Sequence, residues 1–219
     1  MSLIDYVGEH MGPNDFFAPV ADELQRVESS LETNINTDLG VLHAASTHLI
    51  KAGGKRLRPA FALLAARVFI DDLDEIIPLA IALELTHMAT LVHDDVIDNS
   101  QIRRGTDTVK KLWGNRLSIY AGNLVFANSL SLVAGYQRQD MVNILADTSM
   151  KICEGEIIQM LSAYNTEVGM KNYLRRIERK TALLISVSCQ LGALLTPAGI
   201  AEISALQKYG YYLGMAFQV

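Results

Sequence analysis

The sequence predicts an all-α fold, and three observations point to it. Half of the 219 residues are hydrophobic but only 7% are aromatic, and the abundant Leu, Ala and Ile favour helices over strands. Apolar residues recur at steps of three and four along most of the chain, whereas no segment shows convincing strand alternation. The sequence contains no internal repeat, linker or low-complexity tract, so we predict one domain over residues 1–219.

Each helix is predicted from its apolar stripe and from the residues at its ends. Residues 16–36 carry an amphipathic stripe, and 38–52 form a second helix that stops at a Gly-Gly pair. A third helix at 59–69 begins with proline, a favoured first-turn residue. The fourth, at 75–98, is unusually apolar and should therefore be buried on most sides. Further helices are expected at 107–113, 115–135, 139–164, 170–195 and 200–217.

Composition and charge exclude several classes of protein. A net charge of −5 offers no basic field for nucleic acid. The cysteines Cys153 and Cys189 have neither disulfide nor zinc spacing, so both are predicted to be buried free thiols in a reducing cytosol. The first residues show no secretory signal, and we expect a cytoplasmic protein. Residues 181–201 are uncharged over a membrane-span length of about 20 residues. Their polar side chains favour a buried helix, with a membrane protein as the alternative.

The fourth helix ends in an acidic motif, Asp-Asp-Val-Ile-Asp at 94–98. Asp94 and Asp98 are four residues apart and share one helix face, while Asp95 is rotated by about 100° and supports them from the side. Carboxylates at the end of a buried helix are costly to desolvate and oppose the helix dipole. Mg²⁺ would offset both costs, because it prefers carboxylate oxygen, water and phosphate. An exposed acidic turn is the alternative.

Two basic clusters flank this motif. At 53–59, Gly-Gly-Lys-Arg-Leu-Arg-Pro places three cations before a helix N-terminus, an arrangement that suits a phosphate group. It is not a P-loop, because the glycine spacing and the Ser or Thr are missing. Arg103-Arg104-Gly105 follows the aspartates, where salt bridges are the alternative use. Together the clusters predict a cleft for two diphosphates, one held through Mg²⁺ and one held directly by cations.

These motifs, in this order, resemble the trans-isoprenyl diphosphate synthase family. The similarity runs from about residue 40 to the last residue, and within the family it is greatest to the catalytic subunits of two-component heptaprenyl diphosphate synthases. Later matching segments are Gly155-Glu156, Gln159, 174–185 and 214–218. The resemblance implies an antiparallel helical bundle of the isoprenoid synthase type. It also implies a reaction in which an allylic diphosphate ionises and isopentenyl diphosphate adds to the allylic cation.

The resemblance also implies a role for each site residue. Asp94 and Asp98, supported by Asp95, would hold Mg²⁺ against the allylic diphosphate, and Arg103 would bind the same group. The residues implied for isopentenyl diphosphate are Gly54, Lys55, Arg58, His87 and Arg104. Those implied for the allylic end are Lys180, Thr181 and Gln218, with the Thr and Gln oxygens stabilising the cation. The departing diphosphate would accept the final proton.

His87 illustrates how position decides between two readings. A histidine on an apolar helix is more often a satisfied core residue than a ligand-binding one. It lies seven residues before Asp94, however, and therefore shares a helical stripe with Leu91, Asp94 and Asp98. That stripe places it in the predicted cleft, whereas the neighbouring His93 is expected to support the structure.

The resemblance further implies a long product. Ala89 and Thr90, five and four residues before Asp94, are small where bulky aromatics would stop chain growth, and only two residues separate Asp95 from Asp98. Both features favour a heptaprenyl product, with hexaprenyl and octaprenyl next, for use as a quinone side chain. Farnesyl diphosphate is the expected allylic substrate. The expected assembly is a homodimer or a heterodimer with a small non-catalytic subunit, and peripheral membrane contact would serve product release.

The sequence departs from the family at its end. After Gln218 and Val219 the family continues into a second aspartate-rich motif and further helices, so the bundle is expected to be incomplete at the C-terminus and this chain inactive. Two other functions remain open. A terpene cyclase of the same fold binds one diphosphate and has no need of Lys55, Arg58 and His87. A non-catalytic dimerising subunit would be expected to lack some of the residues Asp94, Asp98, Arg103 and Arg104.

Overall fold

In a computed structural model, which describes residues 16–161 and 169–218, the chain is almost entirely helical. The α-helices are α1 (Ala21–Leu31), α2 (Gly40–Lys51), α3 (Leu57–Arg67), α4 (Ile77–Ile97), α5 (Val109–Ala134), α6 (Gln139–Leu161), α7 (Met170–Ile177), α8 (Leu183–Leu194) and α9 (Ile200–Gln218). Short 3₁₀ turns cover Ala18–Val20, Glu32–Asn34 and Asp74–Ile76, and a π turn covers Glu178–Ala182. The predicted all-α class and the order of the helices are confirmed.

The described chain divides into two compact units. The first comprises the described residues up to Ala60 together with Ile77–Tyr136. The second comprises Phe61–Ile76 and the described residues from Gln137 onward, so that α3 begins in one unit and ends in the other. The single domain expected from the sequence stays a prediction.

Helix α4 forms the centre of the first unit and packs mainly against α5, with further contacts to α1 and α2. Every residue from Leu79 to Thr86 is buried, as the apolar sequence predicted. The Thr86 hydroxyl donates to Ser129 Oγ at 3.0 Å and so joins α4 to α5 within the core. A buried helix of this kind fixes the position of whatever polar residues lie at its end.

Helix α5 is interrupted at Gly114, where φ is 80° and ψ is 167°. A positive φ of this size is accessible to glycine at little cost. The Thr108 side chain caps the helix start by accepting from the Lys111 N–H at 3.1 Å. The predicted break between helices at 107–113 and 115–135 is therefore confirmed at the glycine that separates them.

The second unit is held by close helix packing at glycines. A Cβ added at Gly192 on α8 would lie 2.2 Å from the carbonyl oxygen of Ala62 on α3. On α9, a Cβ at Gly214 would lie 2.6 Å from the Cα of Ala182. Such distances leave no room for any side chain, so these helices approach until their backbones are in contact.

Three expectations from the sequence were wrong in detail. The helix expected at 170–195 is interrupted by the π turn. The sequence did not predict this turn, because one extra residue within a helix leaves the local apolar pattern looking helical. A hairpin of β1 (Ile102–Arg103) and β2 (Thr106–Asp107) occupies most of the loop expected at 99–106 and takes the first residue of the helix expected from 107. Strands of two residues are too short to show alternation. Cys153 is exposed on α6, whereas Cys189 is buried as predicted. Burial raises the pKa of the Cys189 thiol to about 12.

Membrane spans can also be compared with the expectation for residues 181–201. That segment contains the 12-residue helix α8, which ends at Leu194, well short of the roughly 20 residues of a span. Among the described residues, Asp74–Ile97 and Val109–Ala134 are long and apolar enough to cross a membrane by length and composition alone. For Asp74–Ile97, 72% of the apolar window is buried within the protein, which is the pattern of a core helix.

Candidate functional site

The acidic motif lies where α4 ends. Ser100 N–H donates to the Asp95 carbonyl at 3.0 Å and Asn99 N–H to the Val96 carbonyl at 3.4 Å, while Asn99 has a φ of 55°. This is a Schellman ending with asparagine in the left-handed position. Asp98 N–H still bonds to the Asp94 carbonyl at 2.8 Å, so the helical register continues through Asp98.

The three aspartates have different environments. Asp94 is 8% exposed and Asp98 is exposed, on the same helix face one turn apart. Asp95 is buried and accepts a hydrogen bond from Arg103 Nε at 2.8 Å. Burial raises the pKa of Asp95, and the hydrogen bond and charge of Arg103 oppose that rise. Asp95 therefore anchors the β-hairpin, while Asp94 and Asp98 share the neighbouring helix face, with Asp94 buried and Asp98 exposed.

The hairpin carries both arginines of the Arg-Arg-Gly motif. Arg103 lies in β1, and the turn residues Arg104 and Gly105 have φ of 53° and 78°. Two positive φ values are what a type I′ turn requires, and the Arg-Gly pair satisfies it at a small cost for Arg104. A Cβ at Gly54 would lie 2.6 Å from Arg104 Nη1, so the Arg104 guanidinium rests directly on the Gly54 backbone.

Arg58 and His87 complete a basic cluster with Arg104. Burial, together with the charge of Arg104, lowers the pKa of Arg58 to about 10 against the opposing charge of Glu84, so the group stays protonated at neutral pH. Burial and then the charges of Arg58 and Arg104 hold the pKa of His87 well below its usual value. His87 is therefore a neutral imidazole beside the cationic arginines, with one ring nitrogen that donates a hydrogen bond and one that accepts. Lys55, the remaining predicted cation, is exposed.

The sequence did not reveal which cation of the 53–59 segment is structural. Arg56 is 2% exposed, has a φ of 46°, and donates to Glu28 Oε1 at 2.8 Å and to Glu84 Oε1 at 2.9 Å. Burial lowers the pKa of Arg56, but the Glu28 hydrogen bond and the Glu84 charge outweigh it and raise the pKa overall. Both partners lie 28 residues away along the chain, so no local spacing signals this network.

The remaining predicted residues belong to the second unit. Thr181 is buried in the π turn, and its hydroxyl donates to Gln218 Oε1 on α9 at 2.8 Å. Lys180 Nζ lies 3.6 Å from Glu156 Oε1 on α6. The structure thus brings Thr181 and Gln218 together. Isolated π turns are frequent at functional sites, and this one coincides with the motif.

The acid set can be compared with what Mg²⁺ requires. Within residues 16–161 and 169–218, no group of three or more His, Cys, Asp or Glu side chains is arranged to hold a metal ion. Mg²⁺ is commonly bound through one or two carboxylates plus substrate phosphate, and Asp94 with Asp98 supplies two carboxylates on one face. The donor set therefore fits a metal that arrives with a diphosphate.

The chain is similar to known prenyl diphosphate synthases. The chain is 46% identical to heptaprenyl diphosphate synthase component 2 of Geobacillus stearothermophilus, over 91% of this chain and 62% of that protein. It matches a crystal structure of heptaprenyl diphosphate synthase from Staphylococcus aureus with 40% identity and a TM-score of 0.86, over 90% of this chain and 63% of that one.

A third match is the polyprenyl synthase of Caulobacter crescentus CB15, crystallised with calcium and isoprenyl diphosphate. Its identity to this chain is 36% and its TM-score is 0.87, over 91% of this chain and 61% of that one. The chain therefore has the isoprenoid synthase fold and spans a little over 60% of the length of these relatives. The family model described as polyprenyl synthetase matches residues 40–219, and the chain therefore belongs to the polyprenyl synthetase family.

Proposed function

We propose that the protein is a trans-polyprenyl diphosphate synthase that condenses an allylic diphosphate with isopentenyl diphosphate. One observation carries the proposal: the first unit contains two chemically different charged clusters, the carboxylates of Asp94 and Asp98 and the basic cluster of Arg58, His87 and Arg104. Two diphosphates call for two such clusters, whereas a terpene cyclase needs one. The chain covers 62% of the Geobacillus relative, so the activity of the whole protein is part of the proposal.

The acidic pair accounts for the allylic diphosphate. Asp94 and Asp98 would hold Mg²⁺, which when bound neutralises charge on the leaving diphosphate. Arg103 uses its Nε–H on Asp95, so the bond fixes its guanidinium while leaving other N–H groups for the same diphosphate. Asp95 thus contributes by holding Arg103.

The basic cluster accounts for isopentenyl diphosphate. Arg58, Arg104 and the exposed Lys55 supply positive charge without a metal, and neutral His87 adds a hydrogen bond. Gly54 contributes its backbone and lets Arg104 approach. Lys180, Thr181 and Gln218 are proposed to line the allylic end, where the Thr and Gln oxygens would stabilise the allylic cation.

The product is proposed to be heptaprenyl diphosphate, destined for a quinone side chain. Ala89 is buried in α4, and the Thr90 hydroxyl donates to the His87 carbonyl of the same helix at 2.7 Å. Both side chains are small, so neither would block a growing prenyl chain. The Geobacillus relative is named as component 2, which supports assembly with a second component. The proposed assembly is a heterodimer with a small non-catalytic subunit, or a homodimer. Farnesyl diphosphate is the proposed allylic substrate, and Ala89→Phe is expected to shorten the product.

Binding measurements test the proposal directly on this chain. By calorimetry, isopentenyl diphosphate should bind without Mg²⁺, whereas farnesyl diphosphate should bind only with Mg²⁺. Asp94→Asn and Asp98→Asn should abolish the binding of farnesyl diphosphate and preserve that of isopentenyl diphosphate. Arg58→Lys should weaken isopentenyl diphosphate binding by about tenfold, as expected for losing a charge-assisted hydrogen bond. Asp71→Asn, in an exposed turn of the second unit, is the matched control and should change neither.

Turnover is measured on the complete gene product with Mg²⁺, farnesyl diphosphate and labelled isopentenyl diphosphate, with and without the small subunit. Labelled heptaprenyl diphosphate is expected, and Asp94→Asn should lower kcat by about a hundredfold or more. Release of a hydrocarbon without incorporation of label would identify a terpene cyclase instead. Absence of both binding events would leave a non-catalytic subunit as the better description.

A further inference from the structure

Three buried side-chain atoms of the first unit have no hydrogen-bond partner among the described residues: Ser46 Oγ, Arg58 Nε and Glu84 Oε2. Two of them belong to charged groups, Arg58 Nε as a donor and Glu84 Oε2 as an acceptor. Glu84 is 1% exposed, so water has little access to its carboxylate. A buried group that lacks a hydrogen bond costs about 1–3 kcal/mol, more if charged, and therefore calls for an explanation.

The rest of the Glu84 carboxylate is already fixed. Its Oε1 accepts from Arg56 Nη1 at 2.9 Å, and Arg56 is held from the other side by both oxygens of Glu28. Glu84 therefore cannot rotate away without breaking a buried ion pair. This leaves Oε2 in a fixed position with one acceptor to offer.

Charge links this acceptor to the basic cluster. Burial and neighbouring arginines lower the pKa of Arg58 and of Arg104. The negative charge of Glu84 opposes this change in both groups. Arg56 has two carboxylate partners for one positive charge, so the network retains a negative charge beside the cluster. That charge offsets part of the repulsion between Arg58 and Arg104.

We propose that Glu84 is a positioning residue for Arg58, and that its Oε2 accepts the Arg58 Nε–H when the terminal amines of Arg58 bind a diphosphate. This inference rests on the proposed function, because it assumes that the cluster binds isopentenyl diphosphate. The bond would orient the guanidinium so that its two Nη groups point to the ligand. Because this bond forms together with the ligand contacts, it adds a charge-assisted hydrogen bond to the complex and removes the cost of two unpartnered buried atoms, so the affinity rises.

A matched pair of substitutions separates this role from simple support of Arg56. Glu84→Gln keeps the shape but leaves one oxygen to serve both arginines. Glu28→Gln removes the same charge from Arg56 on the side without a bond to Arg58. By calorimetry with isopentenyl diphosphate, Glu84→Gln should weaken binding about tenfold and Glu28→Gln less than about threefold. Farnesyl diphosphate binding with Mg²⁺ should be unchanged in both.

A double-mutant cycle sharpens the test. Arg58→Lys keeps a charge but has no Nε–H, so Glu84→Gln should add less than about twofold on that background. Equal losses in Glu84→Gln and Glu28→Gln, or full additivity with Arg58→Lys, would overturn the positioning role while isopentenyl diphosphate binding by the wild type upholds the proposed function. A wild type that does not bind isopentenyl diphosphate overturns both.

A crystal structure of the wild-type protein with isopentenyl diphosphate gives an answer even where a variant fails to fold. Arg58 Nε and Glu84 Oε2 should lie within hydrogen-bond distance, about 2.7–3.2 Å, with the Arg58 terminal amines on the diphosphate. An Oε2 bonded elsewhere while the ligand occupies the basic cluster would contradict the inference.

Discussion

The two units fix their predicted functional residues by different means. In the first, a buried arginine between two glutamates holds the segment that carries Lys55 and Arg58. In the second, glycines let helices touch around the Thr181 and Gln218 pair. Anion-binding residues need a field of charge and therefore a counter-charge beneath it, whereas a hydroxyl–amide pair needs only close packing. The first unit should accordingly be sensitive to changes of charge and the second to changes of volume.

The largest expected effect is the loss of the buried charge in the first unit. Arg56→Met leaves Glu84 buried without its partner and should lower the free energy of unfolding by about 4 kcal/mol, as measured by urea denaturation. Lys51→Met removes the exposed pair with Glu32 and should cost less than about 1 kcal/mol. Similar values for the two variants would show that the network does not hold the first unit together.

In the second unit, the corresponding change is one of volume. Gly192→Ala places a methyl group against the Ala62 carbonyl, which is backbone and cannot rotate away, so unfolding should become easier by about 2–3 kcal/mol. Gly40→Ala is the control, since nothing lies within 4 Å of its added Cβ. Thermal unfolding that is unchanged in Gly192→Ala would mean that α8 and α3 can move apart freely.

Gly54→Ala combines both kinds of change. Its added Cβ meets the end of the flexible Arg104 side chain, so stability should change by less than about 1 kcal/mol. Arg104 must move, however, and binding of isopentenyl diphosphate should weaken about tenfold. On an Arg104→Ala background the same substitution should have no further effect, which a double-mutant cycle measures. Additive losses would show that Gly54 acts through its own backbone.

The sequence predicted the helices well because their signals are local. The stripe along α4 and the glycine that interrupts α5 both depend on neighbours within one or two turns. The hairpin was missed, although Arg104-Gly105 resembles a two-residue turn, because strands of two residues have no pattern of their own. The π turn was missed because it shifts the helical phase by one residue without changing composition.

For the site, residue types could be predicted but not their partners. The acid pair and the basic cluster follow from the order of motifs, whereas Arg56 differs from Lys55 and Arg58 only in where the fold directs it. Glu28 and Glu84 lie on separate helices, α1 and α4, and only packing brings both to one guanidinium. Neither the positive φ of Arg56 nor the burial of Glu84 has a signal at the level of spacing.

The smallest expected effect concerns His87 and the pH. Because the pKa of His87 is lowered in the folded protein, the unfolded chain binds the extra proton first, below its ordinary value of about 6.5. Stability should therefore fall as the pH drops from 6.5 towards the pKa of His87 in the folded protein. His87 contributes at most about 1.4 kcal/mol per pH unit to this fall, and above about pH 7 its titration should not affect stability. His87→Gln should make the acid side of the curve shallower, while His43→Gln shows the effect of removing another histidine. Unfolding curves of His87→Gln and wild type that run parallel between pH 7.5 and 5.5 would show that the basic cluster accepts a protonated His87 without cost.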